Sequence, residues 1–163
     1  MIEDRIERAR GLLERVHYAA MATVNEDGSP HNTPIHFIIS DSRKYIYWAS
    51  SPASQHSKNL NRSGQAFFVI YEPGVGGGLY LQTRNGHELT GAQLKDGLNI
   101  WNKSRMADGK PELADTFFKG NFPQRMYRVD IMKSWVNCSD RDKAGNIIRD
   151  YRYELAQEDL LLR

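Results

Sequence analysis

Residues 22–39, ATVNEDGSPHNTPIHFII, carry the reading on which the fold turns. Two apolar runs flank NEDGSP, and Asp27-Gly28 is a strong signal for a tight turn between antiparallel strands. The return run holds His31, Asn32, Thr33 and His36 among its apolar residues. Pro34 cannot donate to a ladder, which places this strand at an edge or beside a bulge. A hairpin with so many hydrogen-bonding groups either turns one face to solvent or lines a site.

Upstream, Ile2, Ile6, Ala9, Leu13 and Val16 form one apolar stripe and predict a helix over 2–16. The period then shortens, and YAAMATV (18–24) reads as a buried strand. Downstream, KYIYWA (44–49) is aromatic and β-branched and predicts a third strand. In SSPASQHSKNL, Ser51 suits an N-cap and Pro52 a first helical residue, so a short helix should run to Asn61. Further strands are expected over 65–72, 79–89 and 125–137, and in IIRDYRYEL. Thr90 with Gln93 resembles a capping box for a helix that buries Leu94, Leu98 and Trp101 and ends near Arg105. LADTFFKG suggests a helical turn. Six or seven strands on short connections predict an antiparallel barrel with peripheral helices, because parallel pairs need long crossovers.

The chain has 163 residues, enough for one domain with a sizeable core, and neither a repeat nor a long linker divides it. We take 1–163 as a single domain. With 22 basic and 20 acidic residues the net charge is +2, too balanced for a nucleic-acid partner. No apolar run approaches the roughly 18 residues of a membrane helix. The charged start MIEDRIERAR lacks a secretory core, so a cytoplasmic location is expected. One cysteine, Cys138, excludes an internal disulfide framework.

The sharpest chemical signal is 50–58. Ser50, Ser51 and Ser54 surround a helix start, where free N–H groups and the helix dipole favour an anion. Ser54 and Lys58 share a helix face, and Gln55 and His56 add donors. The plain alternative is an ordinary capped helix. GVGGG is not a phosphate loop, since no Gly-Lys-Ser/Thr follows. The five histidines form no His-x-x-x-His pair, and no metal site is expected. No serine or cysteine has a nucleophile's context, so no catalytic residue is assigned. Trp48, Trp101 and Trp135 could stack on a flat ring, or serve as core or interface. Arg125 and Arg128 could bind an anion or lie at solvated strand ends.

In order, YAAMATVNEDGSPHNTPIHFII, YIYWASSPASQHSKNLNRSGQAFFVIYE and GLYLQTRNGHEL resemble the pyridoxamine 5′-phosphate oxidase-like superfamily of flavin-binding split barrels. The resemblance covers about residues 19–89 and extends more weakly through QRMYRVDI. It implies a mainly β fold with peripheral helices: a six-stranded antiparallel split barrel. It also implies a homodimer with FMN at the subunit interface. Thr33, Pro34, Ile35 and His36 would then meet the isoalloxazine and ribityl chain. Ala49, Ser50, Ser54, Gln55 and His56 would match the phosphate-binding turn, with Lys58 one helical step away.

The departures from the authentic oxidases are specific. Thr33 stands where they carry an arginine, Ile38 where they carry a lysine, and Leu79 where a glutamine touches flavin. His56 stands where a basic residue is common. Each lost charge-assisted contact is worth about 1–3 kcal/mol. The C-terminal Arg-x-His signature is absent, which points away from pyridoxamine phosphate as substrate. The resemblance therefore implies an FMN-dependent oxidoreductase of another substrate. The alternatives are a non-catalytic flavin- or haem-type binder, a protein using deazaflavin F420, and a dimeric barrel without cofactor.

Overall fold

In the computed structural model, residues 2–74 and 77–161 are described, together with the backbone but not the side chain of Ile2. The apolar stripe forms α1 (Ile2–Arg15). Ala9, Leu12 and Leu13 on it are buried, and Ile6 and Val16 pack against the same core. The hairpin follows as β1 (Tyr18–Val24) and β2 (Pro30–His36), with Gly28 at a positive φ of 84° in the turn. Asp27 accepts hydrogen bonds there from the Ser29 N–H at 2.9 Å and the Ser29 hydroxyl at 2.6 Å.

Beyond β2 come β3 (Ile38–Ile39), β4 (Tyr45–Ser50), α2 (Gln55–Ser63), β5 (Ala66–Ile70) and β6 (Leu79–Glu88). α3 (Gly91–Ala107), β7 (Arg125–Arg141) and β8 (Ile147–Leu155) complete the regular elements. Two 3₁₀ turns, Asp115–Phe118 and Gln157–Leu160, supplement them. Within the PGVGGG loop, residues 75 and 76 lie outside the described residues, as do 162 and 163 of the tail.

All pairings are antiparallel, in the order β2-β1-β5-β6-β7-β4-β3. β2 and β3 are consecutive, separated only by Phe37, so the sheet returns to its own start and closes as a barrel. Counting that bent segment once gives six barrel strands. β8 is additional and pairs with the distal half of β7. The barrel is split because β2 pairs with β1 on one edge and, among the described residues, has no ladder partner on the other. Pro34 sits on that edge strand, as its missing donor requires.

Alternation fills the interior with Met21, Trp48, Phe68, Ile70, Leu79, Leu81 and Tyr127, all fully buried. A second cluster lies between α3 and the outer side of β4, where Leu94, Leu98 and Trp101 cover Tyr47. Some details differ from the sequence expectation. α2 starts at Gln55 rather than Pro52, because Ser51–Ala53 makes a turn closed by the Ser54 N–H on the Ser51 carbonyl. α3 begins after Thr90 as expected, but the Thr90 side chain makes no capping bond and the helix runs on past Arg105 to Ala107. β7 runs on to Arg141 and contains a bulge: Gln82 faces Lys133 while Thr83 faces Ile131, leaving Met132 extra. The bulge moves the inward side chains from Val129 and Ile131 to Ser134, Val136 and Cys138.

Candidate functional site

The end of β4 delivers Ser50 inward, and the chain then leaves the sheet through the turn that starts α2. Ser54 is the N-cap by position, but its hydroxyl makes no capping bond to the first helical turn. It donates instead to the Ser51 carbonyl at 2.8 Å or the Ser57 hydroxyl at 2.9 Å. His56 Nε2 lies 2.6 Å from Ser50 Oγ and 3.0 Å from Ser54 Oγ. The structure thus brings Ser50, Ser54 and His56 into one cluster, adds Ser57, and buries His56 and Ser57. Burial, and then the nearby His31, hold the His56 pKa below the ordinary imidazole value. His31 reaches the cluster from β2, its ring stacked on His56 with centroids 6.5 Å apart.

Other residues of the segment point elsewhere. Gln55 donates to Asn59 at 2.9 Å and borders an open recess with Asn25, Glu26 and Asp27, an acidic side of the turn. Asn59 donates to Thr23 at 3.0 Å and Asn25 at 2.9 Å, tying α2 to the β1–β2 hairpin. Lys58 is exposed, and Ala49 is half-buried in β4 opposite Met126.

The ring-side residues divide by strand parity. Thr33 and Ile35 turn to the same side as Met21 and Ala19, whereas Pro34 and His36 turn outward with Ala20 and Tyr18. Ile35 is buried, and Thr33 is half-buried with its hydroxyl 3.4 Å from the Pro34 carbonyl. Pro34 lines an outer-face cavity of about 740 Å³ with Arg15, His17, Tyr18, Asn32 and Tyr71. His36 is wedged between Tyr18 at 5.3 Å and Trp101 at 5.9 Å. Burial, then His17, hold its pKa below the usual value. The four residues do not form one side-chain wall. They share the backbone of β2, whose unpaired edge runs beside β4 and α2.

Trp48 is core, stacked on Tyr127 at 5.7 Å, while Trp135 stacks on Phe67 at 6.4 Å. Arg125 donates to the carbonyls of Gly120, Phe122 and Gln124 and lies 3.4 Å from Glu88. Arg128 lies over the Tyr45 ring at 4.6 Å. Ile38 pairs with Tyr47 and Leu79 is interior, so neither presents a ligand-facing donor. Among the described residues, no three His, Cys, Asp or Glu side chains converge for a metal.

Sequence reasoning missed Ser57 and Tyr127. Tyr127 is fully buried; among the described residues its hydroxyl makes no hydrogen bond of ordinary geometry, and the neighbouring Ser57 hydroxyl partly offsets the rise in its pKa that burial causes. The spacing Ser54-x-x-Ser57, one helical turn, was the available signal for Ser57. Nothing local marks Tyr127, which reaches the turn only through the β4–β7 pairing.

The sequence model of the family described as pyridoxamine 5′-phosphate oxidase matches residues 6–116, well over half the chain. No curated protein matches the chain in sequence. Among solved structures, a haem-binding protein from Mycobacterium smegmatis aligns with TM-score 0.65 and 13% identity. That alignment covers 96% of this chain and 60% of that protein. A Clostridium acetobutylicum protein related to general stress protein 26 of B. subtilis, of the pyridoxinephosphate oxidase family, aligns with TM-score 0.60 and 12% identity. It covers 94% of this chain and 96% of its own. HutZ, the haem storage protein from Vibrio cholerae, aligns with TM-score 0.58 and 13% identity, covering 77% and 89% respectively. At these identities the likeness is one of fold.

Proposed function

For this chain, which belongs to the pyridoxamine 5′-phosphate oxidase family, we propose that FMN binds with its phosphate against Ser50, Ser54 and His56. Its ring would lie along the unpaired edge of β2, by the backbone of Thr33, Pro34, Ile35 and His36. One observation carries the reading: an imidazole buried between two serine hydroxyls, at a helix start without a side-chain cap, beside the strand edge that the barrel leaves open. Hydroxyls, imidazole and first-turn N–H groups suit a phosphate. Lys58 would assist from the exposed face, and Gln55 would have to release Asn59 to take part.

Bound flavin supplies hydride or electron transfer. The protein's part is to hold the phosphate, orient the ring and offer β2 backbone donors to the reduced flavin. The proposed activity is thus a flavin-dependent oxidoreductase, with residues 1–163 as one cytoplasmic unit. We further propose a homodimer built on the outer barrel face, with flavin at the interface. That face carries Phe67 against Tyr80 and Trp135, and Tyr18 and Tyr71 are strongly exposed on the barrel.

A second reading, haem in place of flavin, is favoured by two fold neighbours described as binding or storing haem and by the paired imidazoles His31/His56 and His17/His36. Absorption separates the two, since haem gives a Soret band and flavin does not. Preferential retention of F420 over FMN would change the cofactor. The test of the phosphate assignment is Ser54→Ala with His56→Ala. It is expected to weaken FMN binding much more than riboflavin binding, and equal loss for both overturns the assignment.

A further inference from the structure

We propose that the Ser50–His56 turn takes up a proton on His56 when it binds a phosphomonoester dianion, so that affinity for FMN depends on pH and affinity for riboflavin does not. The proposal rests on the turn being the phosphate end of the flavin site.

The geometry has three parts. First, the cluster contains no fixed full charge. His56 Nε2 contacts only the Ser50 and Ser54 hydroxyls. Around it, β4 contributes Ser50, β1 contributes Thr23 through Asn59, and β6 approaches α2 through Gly86. The titratable and charged neighbours are His31 on β2, Tyr127 on β7 by way of Ser57, and Arg125, opposite Ser50 on β7, whose charge is engaged by Glu88 at 3.4 Å and by the carbonyls of Gly120, Phe122 and Gln124; Lys58 on α2 itself is exposed to solvent. A dianion among these groups has no buried counter-charge, and the nearest group able to supply one is the imidazole. An opposite charge at hydrogen-bond range favours the protonated ring, against the burial that lowers its pKa in the free protein.

Second, His31 is stacked on His56 with ring centroids 6.5 Å apart. Protonating both would place like charges face to face, so uptake stops at one proton. Third, the turn has an unused donor behind it. Ser54 donates inward, to the Ser51 carbonyl or the Ser57 hydroxyl. A phosphate would draw that proton outward. Ser57 can then donate to Ser54, and the unpartnered, fully buried Tyr127 hydroxyl can donate to Ser57. The chain of hydroxyls reverses without stranding a buried donor, which gives the idle Tyr127 group a role.

The experiment is calorimetric titration of the full-length protein with FMN and with riboflavin, in two buffers of different ionisation enthalpy. Working between about pH 7 and 8.5 keeps the ligand phosphate a dianion. The expected result is uptake approaching one proton per FMN and none with riboflavin. The FMN Kd should weaken by up to about tenfold per pH unit. His56→Gln should abolish both the uptake and the pH dependence. His31→Asn should retain the uptake, and loss of uptake in that variant would overturn the assignment of the proton to His56, which keeps the test intact if His56→Gln misfolds. FMN binding more tightly than riboflavin without proton uptake would overturn this proposal and leave the phosphate assignment standing. Equal binding of the two flavins would overturn both.

Discussion

Burial is the main cause that lowers the pKa values of His36 and His56 below the ordinary imidazole value. An unfolded histidine titrates near about 6.5. Below that pH the unfolded chain binds protons that the folded chain refuses, so stability falls with pH until the lowered folded pKa values are passed. Urea unfolding midpoints should therefore drop between about pH 7 and pH 5.5. His36→Gln should show a shallower drop, and an unchanged slope would remove His36 from this account. The sequence exposed these groups only partly. Period-two alternation correctly separates His31 from His36, which face opposite sides of β2. It could not show that His31 meets His56, a contact made by folding α2 back onto the hairpin. Ser54 presents the opposite case: the segment is legible as a helix start, but not that its hydroxyl bonds back to Ser51 and onward to Ser57 in place of a cap.

At the scale of elements, α2 is placed by contact with β6. A Cβ built on Gly86 would lie 2.3 Å from Leu60 Cδ1, 2.8 Å from Leu60 Cγ and 3.0 Å from Val129 Cγ1. Leu60 and Val129 are fully buried and have no free space to retreat into. Gly86→Ala should cost about 1–3 kcal/mol, the usual range for overpacking, and should loosen the turn that α2 carries. A change below about 0.5 kcal/mol in denaturant unfolding would show that α2 is not held there. Strands were readable because their aromatic and β-branched runs lie between Gly, Pro and Asp turns. The bulge at Met132 was not marked by any glycine. Its trace is a change of parity, with Val129 and Ile131 inward on one side and Val136 and Cys138 on the other. Pro52 misplaced the start of α2 because its favourable fit to a first helical turn was outweighed by the Ser51–Ser54 turn.

At the scale of the molecule, closure through Phe37 turns a meander into a split barrel and leaves one edge of β2 unpaired. Pro34 pointed to an edge or a bulge, and the structure makes it an edge, whereas closure depends on β3 pairing with β4 over just two residues. The outer face bears on the proposed dimer. Phe67 stacks on Trp135, and Arg152 lies 3.8 Å from the Tyr80 ring centroid. If copies associate through this face, Phe67→Glu buries an unpaired charge there and should convert dimer to monomer in sedimentation experiments. A variant that sediments as the parent protein does would place any dimer contact elsewhere.

The most direct test of flavin binding is an absorbance spectrum of the purified protein before and after incubation with FMN and desalting. Retained flavin bands at about one equivalent per subunit are predicted. A spectrum without flavin bands after loading, or a Soret band on addition of haem with no FMN retained, would contradict the account.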